Sequence, residues 1–167
     1  MEEVIVRTEV YVPPEKAFAF LRSFTTYAEY SPYLEEVRQF GEGGIGTEYE
    51  LTASWWRIEY RARTEVIAID PPHRIEWRVL DAIDAHGVWI VEETEGGSRV
   101  TLRIAFDAAS ADTSAVSLPR FVSVGWVIDK IKPLVRREAK AIVERIVVDL
   151  EGQPREVDLE IDVKRET

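Results

Sequence analysis

One apolar stripe near the C-terminal end of the chain constrains the fold more than any other feature. From about residue 118 to residue 150, apolar residues recur every three or four positions; they are Phe121, Val124, Ile128, Ile131, Val135, Ala139, Ile142, Ile146 and Leu150. This spacing predicts one amphipathic helix of ~30 residues, ~45 Å long, which can lie across a whole sheet. Pro133 predicts a kink or a junction between two helical segments, and Gly152 and Pro154 predict the end of the helix.

Most of the chain before this helix alternates apolar and polar residues with a period of two, which is typical of strands with one buried face. The first run covers residues 4–12, and further runs lie between residues 47 and 106. Turns are predicted at the glycine-rich segment 41–46, at the Asp-Pro-Pro of 70–72 and at 95–98. Because these connections are short, we expect an antiparallel meander with one solvated face.

Two short helices are predicted between the first strand and the meander. Pro13 and Pro14 stop the strand and favour the first turn of a helix, and the aromatic stretch 27–33 around Pro32 predicts a second helix and a loop. The order is then one strand, two short helices, six strands and one long helix. This order predicts an α+β fold in which a single helix packs on a large sheet.

A space should remain between that helix and the sheet. A helix is only ~10 Å across, so it cannot fill the concave side of a strongly twisted sheet of about seven strands. Either large side chains pack the space solidly, or it is an apolar pocket with a few orienting polar groups. The candidate ligand-binding residues are those at inward positions: Tyr49, Leu51, Tyr60, Ala62, Thr64, Trp77, Trp89, Leu102, Phe106, Phe121 and Ile128.

Catalytic motifs are not found in this sequence. By the alternation, the charged residues of the strands between 47 and 106 lie on the solvated face, where Arg57, Arg61 and Arg63 alternate with glutamates as an ion-pair surface. His73 falls in a turn and His86 on an outward position, so these two histidines do not form a good metal-binding site. Segment 41–46 lacks the Lys-Ser/Thr of a phosphate-binding loop, and no serine lies in a nucleophile elbow. We therefore predict no catalytic residue, no metal and no cofactor.

Composition excludes further classes. The 167 residues contain no cysteine, which excludes disulfides, thiol nucleophiles and thiolate metal sites. The formal net charge of −10 disfavours nucleic acid and anionic membranes as partners. Neither a signal peptide nor ~18 uninterrupted apolar residues occur, so we expect no stable membrane insertion and a cytoplasmic protein. An acidic chain with more arginine than lysine also suggests, as a hypothesis, a salt-loving source.

Three tryptophans and the tail have open roles. Trp126 lies roughly opposite the apolar stripe and is either packed under the short helices or the tail, or exposed at a pocket entrance or interface. Of Trp55 and Trp56, strand alternation allows only one to point inward. The tail 153–167 alternates again, which predicts an added edge strand, within the molecule or on a partner.

The chain resembles the START-like, or SRPBCC, superfamily with its helix-grip fold. Within it, the resemblance is to the polyketide cyclase/dehydrase and lipid-transport family and its coenzyme-Q-binding relatives. The segments that carry it are 12–18 (VPPEKAF), 24–33 (FTTYAEYSPY), 46–47, 69–77 (IDPPHRIEW), 87–89 and 97–101 (GSRVT). The resemblance implies a START-like domain over residues 1–152, in which the sheet grips the long helix around a hydrophobic cavity, and it gives the tail no counterpart.

Three functions follow as hypotheses. The first is the binding or carriage of a hydrophobic small molecule, such as a lipid, quinone or polyketide, with a tyrosine hydroxyl as polar contact. The second is a cyclase, aromatase or dehydratase acting in the same cavity, which an ionisable side chain reaching into the cavity would favour. The third is an interaction module that forms a homodimer through its tail.

Overall fold

The computed structural model describes residues 2–55, 58–110, 116–117 and 124–165, with only a few side chains described between 124 and 136. The strands within these ranges are β1 (Glu2–Val10), β2 (Leu34–Phe40), β3 (Glu48–Trp55), β4 (Ile58–Asp70), β5 (Arg74–Val79), β6 (Asp84–Thr94), β7 (Gly97–Asp107), β8 (Val116–Ser117) and β9 (Leu159–Arg165). The helices are α1 (Pro14–Leu21), α2 (Val124–Glu151), a 3-10 helix (Phe24–Glu29) and a short 3-10 turn (Ala108–Ser110).

All these strands belong to one curved antiparallel sheet. Its order is β2-β3-β4-β5-β6-β7-β1-β9, and β8 pairs with β4 outside this path. With the long helix α2 at the C-terminal end, this is the predicted α+β helix-grip architecture, which is confirmed. The expected seven strands are exceeded by β8, a two-residue strand after the last predicted strand run, and by β9 from the tail.

The short helix α1 begins where its prolines predict. Pro13 has extended backbone angles (φ −65°, ψ 157°) and Pro14 occupies the first turn, where its missing N–H costs no hydrogen bond. The Pro13 carbonyl accepts hydrogen bonds from the N–H groups of Lys16 and Ala17, at 3.0 and 3.2 Å. The helix buries its apolar face, which consists of Pro14, Ala17, Phe18 and Leu21.

The long helix α2 is continuous through Pro133, so this proline does not mark a junction between two helices. The predicted first turns, residues 118–123, lie outside the described residues. At the other end, Gly152 has a φ of +83° and its N–H donates to the Val148 carbonyl at 2.9 Å, a helix ending that favours glycine. Lys16 Nζ donates to the Leu150 carbonyl at 2.6 Å, which ties α1 to the last turn of α2.

The C-terminal tail adds strand β9 to the sheet. Val157 is 2% exposed and belongs to the same core as Val147 and Leu150 of α2. After it, β9 pairs antiparallel with β1, with Leu159 opposite Thr8. The predicted edge strand is therefore formed within the molecule.

The two faces of the sheet differ in character. The outer face carries pairs of arginine and glutamate, which include Arg61–Glu59, Arg63–Glu48, Arg78–Glu65 and Arg99–Glu9, with N–O distances of 2.9 to 3.4 Å. Because these side chains are largely solvated, each pair contributes little to stability. The inner face carries the apolar positions that pack on α1 and on the last turns of α2.

One close contact on the inner face requires a glycine. Gly87 of β6 lies directly opposite Trp77 of β5. A Cβ atom at residue 87 would lie within 2.7 Å of three atoms of the Trp77 indole. The ring therefore covers the Gly87 backbone, and it fits there only because residue 87 has no side chain.

Replacing Gly87 by alanine should destabilise the fold by about 2 kcal/mol, because the added methyl group overpacks the Trp77 ring. Gly44→Ala is the matched control, since a Cβ at residue 44 meets nothing within 4 Å. Urea unfolding monitored by circular dichroism measures both changes. In a Trp77→Ala background, G87A should cost almost nothing; an equal cost with and without the indole would contradict this contact.

Candidate functional site

The strand register defines the inner face of the sheet. Directly opposite residues of an antiparallel pair lie on the same face, so the pairings give rows of neighbouring side chains. One row is Ile75, Trp89, Leu102, Val6 and Ile161; a second is Trp77, Gly87, Ile104, Val4 and Val163. Both rows cross the sheet from β5 to β9.

The nine candidate residues on strands all lie on this inner face. Tyr49 is opposite Thr64, Leu51 is opposite Ala62, and Tyr60 is opposite Ala53. Trp77, Trp89 and Leu102 belong to the two rows, and Phe106 is opposite Ala85. The two candidates from the helical stripe are different: Phe121 lies outside the described residues, and of Ile128 only the backbone position in α2 is described.

Burial divides the nine residues into two groups. Tyr49 and Ala62 are 3% and 5% exposed and present almost no surface to a guest. The other seven are half-buried: Leu51, Tyr60, Thr64, Trp77, Trp89, Leu102 and Phe106. Side chains of this second group retain surface that the rest of the protein does not cover.

Three further residues next to these were not among the predicted site residues. Val4, Val6 and Ile104 are half-buried on the inner face, although β1 and β7 have partner strands on both sides. An interior strand can expose inner-face side chains only to the space above the sheet, so accessible space lies over β1 and β7. The alternation in β1 placed Val4 and Val6 on a buried face. It could not show that they border Leu102 and Ile104, because that requires the β1–β7 register.

An aromatic cluster occupies the other end of the inner face. The Phe24 ring of the 3-10 helix lies 4.8 Å from the Tyr49 ring and 5.3 Å from the Tyr27 ring, measured between centroids. Tyr27 also contacts Phe20 of α1 at 6.1 Å and Trp89 of β6 at 6.5 Å. The aromatic-rich stretch noted in the sequence therefore packs against two of the candidate residues.

The Tyr27 hydroxyl lies inside this cluster and donates a hydrogen bond to the Leu21 carbonyl. Burial raises the pKa of Tyr27 far above its usual value; Tyr49 acts in the same direction, whereas a hydrogen bond with Trp89 acts against it. Burial likewise raises the pKa of Tyr49, against the effect of Arg22. These phenols stay protonated at neutral pH and can act as hydrogen-bond donors but not as bases.

Tyr60 is a further protonated phenol on the inner face. Burial raises its pKa, and the nearby Asp81 carboxylate adds to the rise. Thr64 lies on the same strand, and its hydroxyl donates to the Tyr49 carbonyl at 3.3 Å. The accessible hydroxyl groups of Tyr60 and Thr64 on the inner face thus lie on β4, beside β3.

Carboxylates occupy inner-face positions only at strand ends within the described strands. Glu93 of β6 is exposed, whereas Glu2 of β1 is half-buried opposite Phe106, with its Oε2 atom buried. His73 Nδ1 lies 3.1 Å from the Val91 carbonyl in a turn, and His86 is exposed. In the part of the chain that the structure describes, no group of three His, Cys, Asp or Glu could hold a metal ion.

Two clefts on the surface lie away from the inner face. One of about 490 Å³ is on the outer side of β1, β7 and β9 and is lined mainly by charged residues such as Arg7, Arg99 and Glu160. The other, of about 590 Å³, lies between α2 and residues 154–156. Neither contacts the aromatic cluster.

The open question on the tryptophans is answered for one of them. Trp126 is 39% exposed on α2. Trp55 ends β3, and its side chain, like all of Trp56, lies outside the described residues.

Within the described chain, no helix is both long and apolar enough to cross a membrane.

A polar contact joins the 3-10 helix to α2. The Tyr30 hydroxyl donates to Asp149 Oδ2 at 2.6 Å, and Arg145 Nη1 donates to the Tyr30 carbonyl at 2.9 Å. The hydrogen bond to Asp149 is the main reason that the pKa of Tyr30 rises to about 12. The contact holds the aromatic cluster against the helix.

Replacing Tyr30 by phenylalanine should lower the free energy of unfolding by about 1 kcal/mol, because it removes this hydrogen bond. The unfolded phenol ionises near pH 10, below its folded value, so the contribution is fully present below about pH 10 and is lost as the pH rises towards 12. Urea unfolding across that range should therefore show a steeper alkaline loss for wild type than for Y30F. Tyr11→Phe is the control, since Tyr11 is 61% exposed; parallel curves for wild type and Y30F would contradict the role of this bond.

A curved antiparallel sheet, one long C-terminal helix and an apolar, partly uncovered inner face together define a protein of the START-like superfamily with the helix-grip fold. More narrowly, a model of the family described as polyketide cyclase / dehydrase and lipid transport matches residues 1–147, and the chain belongs to this family. No curated protein matches the sequence.

Solved structures share the fold at low sequence identity. Ara h 8.0201 is 18% identical, with a TM-score of 0.60 over 92% of this chain and 100% of that chain. TTHA0849 from Thermus thermophilus is 15% identical, with a TM-score of 0.64 over 90% and 97% of the two chains. The di-domain ARO/CYC StfQ of the steffimycin biosynthetic pathway is 13% identical, with a TM-score of 0.62; the match covers 89% of this chain and 51% of StfQ. At these identities the likeness is one of fold alone, and the family membership supports a hydrophobic-ligand-binding or cyclase-type role.

Proposed function

We propose that the protein binds and carries an uncharged hydrophobic small molecule, of the lipid, quinone or polyketide kind, between the inner face of the sheet and α2. The observation that carries the proposal is the partly exposed apolar surface of interior strands, above all Leu102 and Ile104 of β7, which are both half-buried. Apolar side chains at the middle of a sheet are normally covered by the protein itself. A hydrophobic guest would complete that cover.

The energetics are adequate for such binding. Burying ~300 Å² of ligand surface at ~25 cal/mol/Å² gives about 7 kcal/mol before the costs of association, which is compatible with micromolar affinity. The protonated Tyr60 hydroxyl is the proposed donor to a polar group of the ligand. An uncharged ligand is favoured because the chain carries a net charge of −10, and Arg165, at an inner-face position of β9, lies opposite Glu2.

Native mass spectrometry of protein purified from its own host tests the proposal first, through the mass of a co-purified apolar molecule. A titration of tryptophan fluorescence with uncharged quinones and long-chain alcohols follows, since Trp77 and Trp89 lie on the inner face. Saturable quenching is the expected result. An absence of both a bound mass and any response to these probes would overturn the proposal.

Leu102→Gln should weaken binding of a responding probe about tenfold, because the amide is desolvated against an apolar guest. Arg103→Gln is the matched control, since residue 103 is the next position on the same strand, is exposed and lies on the outer face. Circular dichroism and urea unfolding check that both variants are folded. Equal dissociation constants for the two variants would place the guest elsewhere.

A cyclase-type enzyme is the second candidate function. The position of Glu2 on the inner face is the observation that favours it. Its carboxylate occupies an inner-face position opposite Phe106, where a base could remove a proton from a bound polyketide-like substrate. Glu2→Gln should then abolish conversion of a linear poly-ketone, followed by mass spectrometry and absorbance of the aromatic product, while leaving its binding unchanged. Conversion that is equal in wild type and E2Q, or absent in both, argues against this role for Glu2.

A further inference from the structure

The inner face of the sheet continues beyond the part of the chain that the family shares. The family match ends at residue 147, whereas β9 comprises Leu159–Arg165. Three residues of β9, Leu159, Ile161 and Val163, lie opposite Thr8, Val6 and Val4 of β1. They are half-buried, as are their partners on β1. The tail thus adds an apolar strip that is continuous with the half-buried apolar surface of β7 and β1.

The other side of β9 is different. Glu160, Asp162 and Lys164 are exposed, and Asp162 lies 3.6 Å from Arg7 on the outer face. The strand is therefore amphipathic in the same sense as the rest of the sheet, with its apolar side towards the space over the inner face. An edge strand that served only to cover β1 would not require apolar residues at all three inner positions.

The two ends of the inner face differ in polarity. Hydroxyl groups and protonated phenols are found at the β3–β4 end, where Tyr60 and Thr64 lie. The β7–β1–β9 end is apolar in its described side chains apart from the strand-end Glu2 and from Thr8 and Ser98, whose hydroxyls donate to the Asp158 and Val12 carbonyls at 2.9 and 2.7 Å. A guest whose polar end contacts Tyr60 would have to span five strand spacings, ~24 Å at ~4.8 Å each, to place its apolar chain over β9. A shorter single-chain guest reaches β9 only when its polar end lies beside Trp89 on β6.

From these observations we propose that β9 extends the ligand-binding face and sets the length of apolar chain that the protein prefers, with Ile161 and Val163 as specificity-determining residues. This inference rests on the proposed binding function. The row from Trp89 through Leu102 and Val6 to Ile161 spans three strand spacings, ~14 Å at ~4.8 Å each. A short alkyl chain that begins beside Trp89 ends over β1, and a longer one reaches β9.

The test is a chain-length series of uncharged alcohols, octanol, decanol and dodecanol, each used below its solubility limit and followed by tryptophan fluorescence of the full chain. In wild type, affinity should rise with each added pair of methylene groups. Ile161→Ser combined with Val163→Ser should weaken dodecanol binding at least about tenfold and octanol binding less than about twofold, because only the longer chain reaches β9. Glu160→Ser with Asp162→Ser, on the opposite side of the strand, is the matched control and should change neither.

A second variant distinguishes a lost contact between β9 and the ligand from an unfolding of β9. Ile161→Phe keeps the strand apolar but fills the space beside Val6, so it should weaken dodecanol binding and leave octanol binding as in wild type. Urea unfolding of each variant confirms that the fold is retained.

The outcomes separate the two proposals. If wild type binds none of the alcohols, the binding function is overturned and the inference with it. If wild type binds them but the β9 variants keep its chain-length dependence, the role of β9 is overturned and the binding function stands. If light scattering shows a dimer that Ile161→Ser dissociates, the apolar strip is a contact between two copies of the chain, and the role of β9 in ligand selection is likewise overturned.

Discussion

The register of the antiparallel sheet is the constraint on which the rest of this structure depends. Because opposite residues share a face, the pairings of β5 to β9 place most apolar positions of those strands in rows on one side and the arginine–glutamate pairs on the other, where Ile5, Val88 and Ile90 are exceptions. A shift of one residue in any pairing would turn one strand's apolar side chains to water. The Trp77 indole over Gly87 is one contact that holds this register, since no other residue at position 87 leaves room for the ring.

Among the described residues, the contacts between α2 and the rest of the fold are found at one end. The core around Val147 and Leu150 is buried, Lys16 bonds the last turn of α2, and Tyr30 bonds Asp149. The aromatic cluster of the 3-10 helix closes the same end against Tyr49 and Trp89. Over β7 and β1, by contrast, apolar side chains remain half-exposed. In the described residues, the fold is thus closed at one end and covered less completely over its middle strands.

Much of this could be predicted from particular residues. The alternation of Tyr49, Leu51, Ala62 and Thr64 placed them on one face, and the register agrees; Pro13 and Gly152 marked the ends of helices where the structure has them. Strand β2 could not be delimited in the same way, because Val37 is its only buried residue and its alternation is weak. The site residues Val4 and Val6 were missed because their neighbours on β7 are about a hundred positions away in the chain, and no local pattern carries that pairing.

The sequence by itself determined the periodicities, and with them the kinds of element, the face that most strands bury and an α+β fold in which one long helix packs on a sheet. These follow from local sterics and from the separation of apolar and polar side chains, which act within a few residues. Only the tertiary structure decided which strands are neighbours, that the tail pairs with β1 rather than with another molecule, and that Tyr49 is buried while Leu102 keeps open surface. Those facts depend on contacts between segments that are far apart in the sequence. Such contacts form only when the whole chain folds, so no local pattern carries them.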